Sequence, residues 1–192
     1  MWNNLEPVND LQVQLWEMYE AFQKRMMATY DRNLPMGDLL IDRWERARMM
    51  GFGEGVSIYD SSQVIGNVTV GADTWIGPFT IIDGSGGLTI GRNCALSAGV
   101  HIYTHDTVFR NLSDGKMPVV RKPVSIGDCT YIGPHAVITK GVTIGKHCLI
   151  GAHSMVNRDL PDYTIAVGAP ARPKGKVLID DEGMVTLQWD KD

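Results

Sequence analysis

Aliphatic side chains recur every six residues through most of this chain, and that period limits what it can fold into. They stand at Ile58, Val64, Val70, Ile76 and Ile82. After a two-residue insertion they resume at Ile90, Leu96 and Ile102, and they return at Ile126, Ile132, Ile138, Ile144, Ile150 and Val156. Glycine follows directly at positions 71, 77, 91, 127, 133, 145 and 151. Four residues after the aliphatic position the side chain is small, as at Ser62, Thr74, Thr80, Cys94, Thr130, Ala136, Cys148 and Ser154. A period of six does not match the 3.6 residues of a helical turn, and the segment is rich in β-branched residues. The pattern predicts a short strand and a turn, repeated as the chain winds around an axis. The aliphatic side chain fills the interior of each flat face, and the small one faces inward near a corner, where little volume remains. Glycine is expected at the turns because it takes backbone angles that a Cβ penalises.

The flanks read differently and divide the chain into a helical cap at 1–55, a solenoid at 56–173 and a tail at 174–192. Residues 9–30 carry Leu11, Leu15, Met18, Tyr19, Phe22, Met26 and Tyr30 at helical spacing, with Asn9 or Asp10 as N-cap. Pro35 separates this helix from a second, over 38–50, with Asp38 as its cap and Gly51 as its stop. The Met and aromatic stripe is expected to be structural, packing the helices on the first coil and covering an open end. Val177-Leu178-Ile179 and Met184-Val185-Thr186-Leu187 flank Asp181-Glu182-Gly183 and read as a terminal hairpin.

Composition excludes some functions. Eighteen basic against 22 acidic residues leave a net charge of −4, which gives no general attraction to nucleic acid or anionic lipid. Any polyanion site must be local. No stretch approaches the roughly 20 apolar residues of a membrane span, and Met1-Trp2-Asn3-Asn4-Leu5-Glu6 lacks the features of a signal peptide. Cys94, Cys129 and Cys148 are odd in number and lack metal-type spacing, and Cys94 and Cys148 fall at inward repeat positions. They read as reduced core residues of a cytoplasmic protein.

The repeat breaks between Ile102 and Ile126, whose 24 residues would make four regular hexads. A polar loop, 103–125, extruded from a rigid scaffold is where function is usually placed. His101 lies at the last regular hexad and His105 at the loop's root, whereas His135, His147 and His153 sit within repeats as surface or inter-subunit residues.

The hexads resemble the hexapeptide-repeat family, which implies a mainly β fold, a left-handed parallel β-helix with three faces per coil, over about residues 56–173. Thr104-His105-Asp106, a loop, and then Tyr131-Ile132-Gly133-Pro134-His135 resemble the sugar O-acetyltransferases of the galactoside and maltose type. The likeness continues through Gly151-Ala152-His153-Ser154, Asp159-Leu160-Pro161 and Val167-Gly168-Ala169-Pro170-Ala171-Arg172. It implies His105 as catalytic base, Met117 at the family's loop methionine, and Tyr131 where those enzymes usually carry Trp. It also implies an acetyl-CoA cleft between subunits of a homotrimer, with Gly133 and Ala152 along the pantetheine arm and Arg172 and Lys174 meeting the phosphates. Asp83 is a match for the acceptor-site Asp, although the Asp83–Gly87 bulge differs in length. Asp106 or Asp83 would orient the imidazole. The activity so implied is transfer of acetyl from acetyl-CoA to a hydroxyl of a saccharide or sugar precursor, such as one of a surface polysaccharide, with no metal. Alternatives are an N-acetyltransferase for an amino-sugar nucleotide, a γ-type carbonic anhydrase, and a non-catalytic scaffold. The carbonic anhydrase needs a third, upstream His, and none precedes His101.

Overall fold

The computed structural model describes residues 9–190, so the opening segment read for a leader lies outside the described residues. Two compact units divide the chain, one ending at Asp42 and one beginning at Arg43. Among the described residues no helix is long and apolar enough to cross a membrane.

In the first unit, helix α1 (Asp10–Tyr30) starts where expected: the Asn9 side chain accepts the Gln12 N–H at 3.0 Å. Asp31, in the left-handed region, closes it by donating its N–H to Met27 O. No side chain of α1 is fully buried, but Met18, Tyr19, Phe22 and Met26 form a half-buried stripe. Gln23 Nε2 donates to Leu34 O at 2.7 Å and holds the turn into α2 (Met36–Leu40). The single helix expected over 38–50 is two helices. The backbone is extended at Ile41 (φ −103, ψ 118), and α3 (Arg43–Met49) belongs to the second unit. Pro35, not Asp38, precedes α2, where a locked φ and a missing N–H cost little. Gly51 ends the second piece at φ 72, as expected.

The second unit is a parallel β-solenoid. One face stacks Ser57–Ile58, Trp75–Ile76, Ala95–Leu96, Tyr131–Ile132, Leu149–Ile150 and Thr164–Val167. A second aligns Val64, Ile82, Ile102, Ile138 and Val156, and a third aligns Val70, Ile90, Ile126 and Ile144. Three hexads make one coil, so Ile58 pairs Ile76 and Ile132 pairs Ile150. The inward aliphatic side chains are at most 3% exposed except Val64, which is partly buried. Each is worth about 1.5–3 kcal/mol of burial. Helix α3 packs on Ser57–Ile58, and Arg46 reaches the carbonyls of Tyr59 and Ser62.

The small inward residues do more than save space. Thr74 Oγ1 donates to Gly91 O (2.9 Å) and accepts the Cys94 N–H (3.0 Å), and Thr130 Oγ1 donates to Gly145 O (3.0 Å). The Thr74 and Thr130 hydroxyls are thus satisfied between coils while buried. Cys94 and Cys148 are buried free thiols, and burial pushes both up from the usual thiol range, so they are inert core residues.

The glycines have a different role from the one expected. The left-handed turn residue stands three places after the aliphatic one, at Asp73, Asn93, His135, His147 and His153 among others, with φ of 53–57. Asn, Asp and His are the non-glycine residues that accept this region best. The glycine directly after the aliphatic residue is required by stacking: a Cβ on Gly71 would lie 2.5 Å from Arg92 N, and one on Gly133 would lie 2.6 Å from Ala152 N. After the last coil, Thr164–Val167 pairs antiparallel with Arg172–Ile179, which pairs with Val185–Trp189 in a hairpin longer than expected.

Candidate active site

Regular winding fails at one corner, between the second and third faces. The Ile81–Ile90 strand turns this corner with the two-residue insertion, and one coil later the chain leaves the stack after Thr104 and rejoins it at Val124. Asp83 stands at the first irregularity and is 1% exposed. Its Oδ1 accepts from Ser85 N–H (2.9 Å) and Ser85 Oγ (2.5 Å). Its Oδ2 accepts from Thr104 N–H (2.8 Å) and Thr104 Oγ1 (3.1 Å) and lies 2.7 Å from His105 Nδ1. Burial alone would push this carboxyl up, but the hydrogen bonds from Ser85, Thr104 and His105 outweigh it and hold it far below the usual range. An ionised carboxylate only accepts, so the imidazole must place its proton on Nδ1. In the neutral ring, Nε2 then carries a lone pair, and it has no partner among the described residues. The His105 side chain is 35% exposed, which leaves it open to a ligand.

The loop root is a two-residue antiparallel ladder, His105–Asp106 against Val120–Arg121. Strand alternation sends neighbouring side chains to opposite sides. His105 turns back to Asp83 one coil before, and Asp106 turns forward to Lys140 one coil after, in a close ion pair. Lys140 holds the Asp106 carboxyl below its usual range. Asp83, of the two carboxylates considered, is the one on the imidazole. Helix α4 (Val108–Leu112) lies in the extruded part, with Met117 45% exposed and its N–H on Ser113 Oγ.

The other sequence-predicted residues lie elsewhere. Tyr131 is on the first face, where it lines a groove of about 430 Å³ with Cys129, His147, Leu149 and, from the terminal hairpin, Val177 and Leu187. Gly133 and Ala152 stack on adjacent coils at the corner between the first and second faces, where the His135 and His153 rings stack 5.1 Å apart. Arg172 and Lys174 begin the terminal hairpin and are exposed. Sequence reasoning missed Ser85, Thr104 and Lys140 as site residues. Counting hexads would have found Lys140, because Ile102 pairs Ile138 and position 140 therefore stacks over 104.

The family described as Hexapeptide repeat of succinyl-transferase matches residues 66–104, and the one described as Bacterial transferase hexapeptide (six repeats) matches residues 123–158. The chain carries the hexapeptide repeat that both family models describe. The unmatched stretch between the two coincides with the extruded loop. A variant of AntD, an N-acyltransferase from Bacillus cereus, in complex with dTDP and coenzyme A, shares the fold of this hexapeptide-repeat protein with a TM-score of 0.59. The two are 23% identical over 69% of this chain and 88% of that one. The hexapeptide-repeat containing acetyltransferase VCA0836 from Vibrio cholerae gives a TM-score of 0.50 at 19% identity, covering 88% and 94%. The acetyltransferase domain of PglB from Neisseria gonorrhoeae gives 0.51 at 19%, covering 64% of this chain and 50% of that one. At these identities the likeness is one of fold.

Proposed function

We propose that this hexapeptide-repeat protein is a cytoplasmic acyl-CoA-dependent acyltransferase in which His105, oriented by Asp83, is the general base. The observation that carries the reading is the 2.7 Å contact of His105 Nδ1 with a buried carboxylate already satisfied by four other donors. That arrangement directs basicity to Nε2. The acceptor is a hydroxyl of a saccharide or sugar precursor. Its O–H proton passes to Nε2 as the oxygen attacks the thioester carbonyl, a C–O bond replaces the C–S bond, and the imidazolium returns the proton to the departing thiolate. A positioned base of this kind is worth about 10²–10⁴ in rate. A backbone N–H at a repeat turn would meet the oxyanion. Acetyl-CoA would lie in a cleft shared by two copies of a homotrimer, along Gly133 and Ala152, with its phosphates on Arg172 and Lys174 and the acceptor near Met117 and Tyr131.

Support comes from the transferase families whose repeats match and from a fold shared with acyltransferases. An amine of an amino-sugar nucleotide is the second reading, because AntD is an N-acyltransferase in complex with dTDP. His105→Ala should leave CoA binding intact and cut turnover at least about a hundredfold. The assay is CoA release across free sugars, amino sugars and sugar nucleotides. Near-normal turnover in the variant removes His105 from the chemistry.

A further inference from the structure

The ladder at the loop root sets a cation beside the base. Lys122 donates its N–H to Thr104 O at 2.9 Å, so Thr104 and Lys122 form the hydrogen-bonded pair of the two strands. His105 and Arg121, directly opposite in register, are then the non-hydrogen-bonded pair. Such pairs bring their Cα atoms to about 4.5 Å and put both side chains on the same side of the ladder. Asp106 and Lys140 occupy the other side, and so does Lys122, whose stem lies over Gly141. Arg121 is exposed and has no carboxylate or carbonyl partner among the described residues. The loop 103–125 as a whole carries Arg110, Lys116, Arg121 and Lys122 against Asp106 and Asp114, a net +2 in a chain of net −4. Asp106 is already neutralised by Lys140, so the loop faces solvent more positive still.

Resting on the acyltransferase reading, we infer that the acceptor carries a phosphate or diphosphate group, which Arg121 binds beside His105. The guanidinium fork suits two phosphate oxygens, and the ladder sets the Arg121 backbone directly opposite His105, so a phosphate held there selects which hydroxyl or amine of the acceptor reaches the base. Arg121 is in this account a specificity-determining residue, and a neutral sugar would lack its contact.

The experiment uses the full chain with its CoA site filled by saturating CoA, so that added anions report on the acceptor side alone. Inorganic pyrophosphate, dTDP and glucuronate are titrated by calorimetry into wild type, Arg121→Gln and Arg110→Gln, with folding checked by circular dichroism. The inference expects wild type and Arg110→Gln to bind pyrophosphate and dTDP alike, and Arg121→Gln to bind both at least about tenfold more weakly, as loss of a charged hydrogen-bonding partner implies. Tighter binding of dTDP than of pyrophosphate would extend the site to the nucleoside. Absence of pyrophosphate and dTDP binding in the wild type, equal affinity in Arg121→Gln, or glucuronate preferred to both would overturn it. Acyl transfer to neutral sugars that depends on His105 but not on Arg121 would sink this inference and leave the proposed function standing.

Discussion

Two corners of the same coil stack show what regularity and its failure each accomplish. At the corner that carries His135 and His153, the coils that pass through Ile76, Ile132 and Ile150 turn alike: a glycine too crowded for a Cβ, a left-handed residue, a small inward side chain. Both histidines are there because the turn tolerates them, and their rings stack on each other. At the corner that carries His105, two inserted residues in one coil and a long excursion in the next remove the equivalence. A buried carboxylate takes the place of a turn, and the histidine above it points at that carboxylate instead of at its own kind. A repeat supplies stability through sameness, whereas chemistry needs unlike groups converging, which only a break in the repeat provides.

The contrast can be broken at three places. The largest expected effect is in the regular stack: Ile132→Ala, at a side chain with no exposure, should lose about 2–5 kcal/mol by urea unfolding. A loss below about 1 kcal/mol would mean that the coils are not the close-packed core described. Next comes Asp83→Asn. Hydrogen bonds from Ser85, Thr104 and His105 hold the Asp83 carboxyl well below the ordinary carboxylate range in the folded protein. Its folded value is depressed, so its stabilisation is present above about pH 4 and is lost as pH falls through the lower folded value. The variant should be weaker by about 1–3 kcal/mol near neutral pH, and its stability should fall less steeply than wild type below about pH 4. Parallel acid profiles for the two proteins would contradict the hydrogen-bonded carboxylate. The smallest effect belongs to the loop tip: Leu112→Ala, at a side chain 83% exposed, should change stability by no more than about 0.5 kcal/mol.

The solenoid was legible because the aliphatic and small positions recur from hexad to hexad, and these positions fell inward or near it. The role of glycine was misread because stacking distance, not backbone angle, makes a Cβ intolerable at Gly71 and Gly133. The split between α2 and α3 was not legible, since the spacing of 38–50 suits one helix and only the extended backbone at Ile41 interrupts it. In the candidate site, His105 was named at the loop root and Asp83 from the resemblance, as an acceptor-site match or an orienting group. Their pairing across coils was not, because it depends on how far the inserted residues turn the strand. Ser85 and Thr104 were missed for the same reason: each is an ordinary polar residue until the carboxylate sits between them.

A base at His105 requires that Nε2, not Nδ1, be the free imidazole nitrogen. With ¹⁵N-labelled histidine, two-bond ¹⁵N–¹H correlation spectra followed up the pH scale to the neutral ring distinguish the two tautomers. Proton on Nδ1 and a bare Nε2 at His105, with that preference lost in Asp83→Asn, is the result predicted. A ring protonated on Nε2 with Nδ1 bare would contradict both the ion-paired geometry and the base.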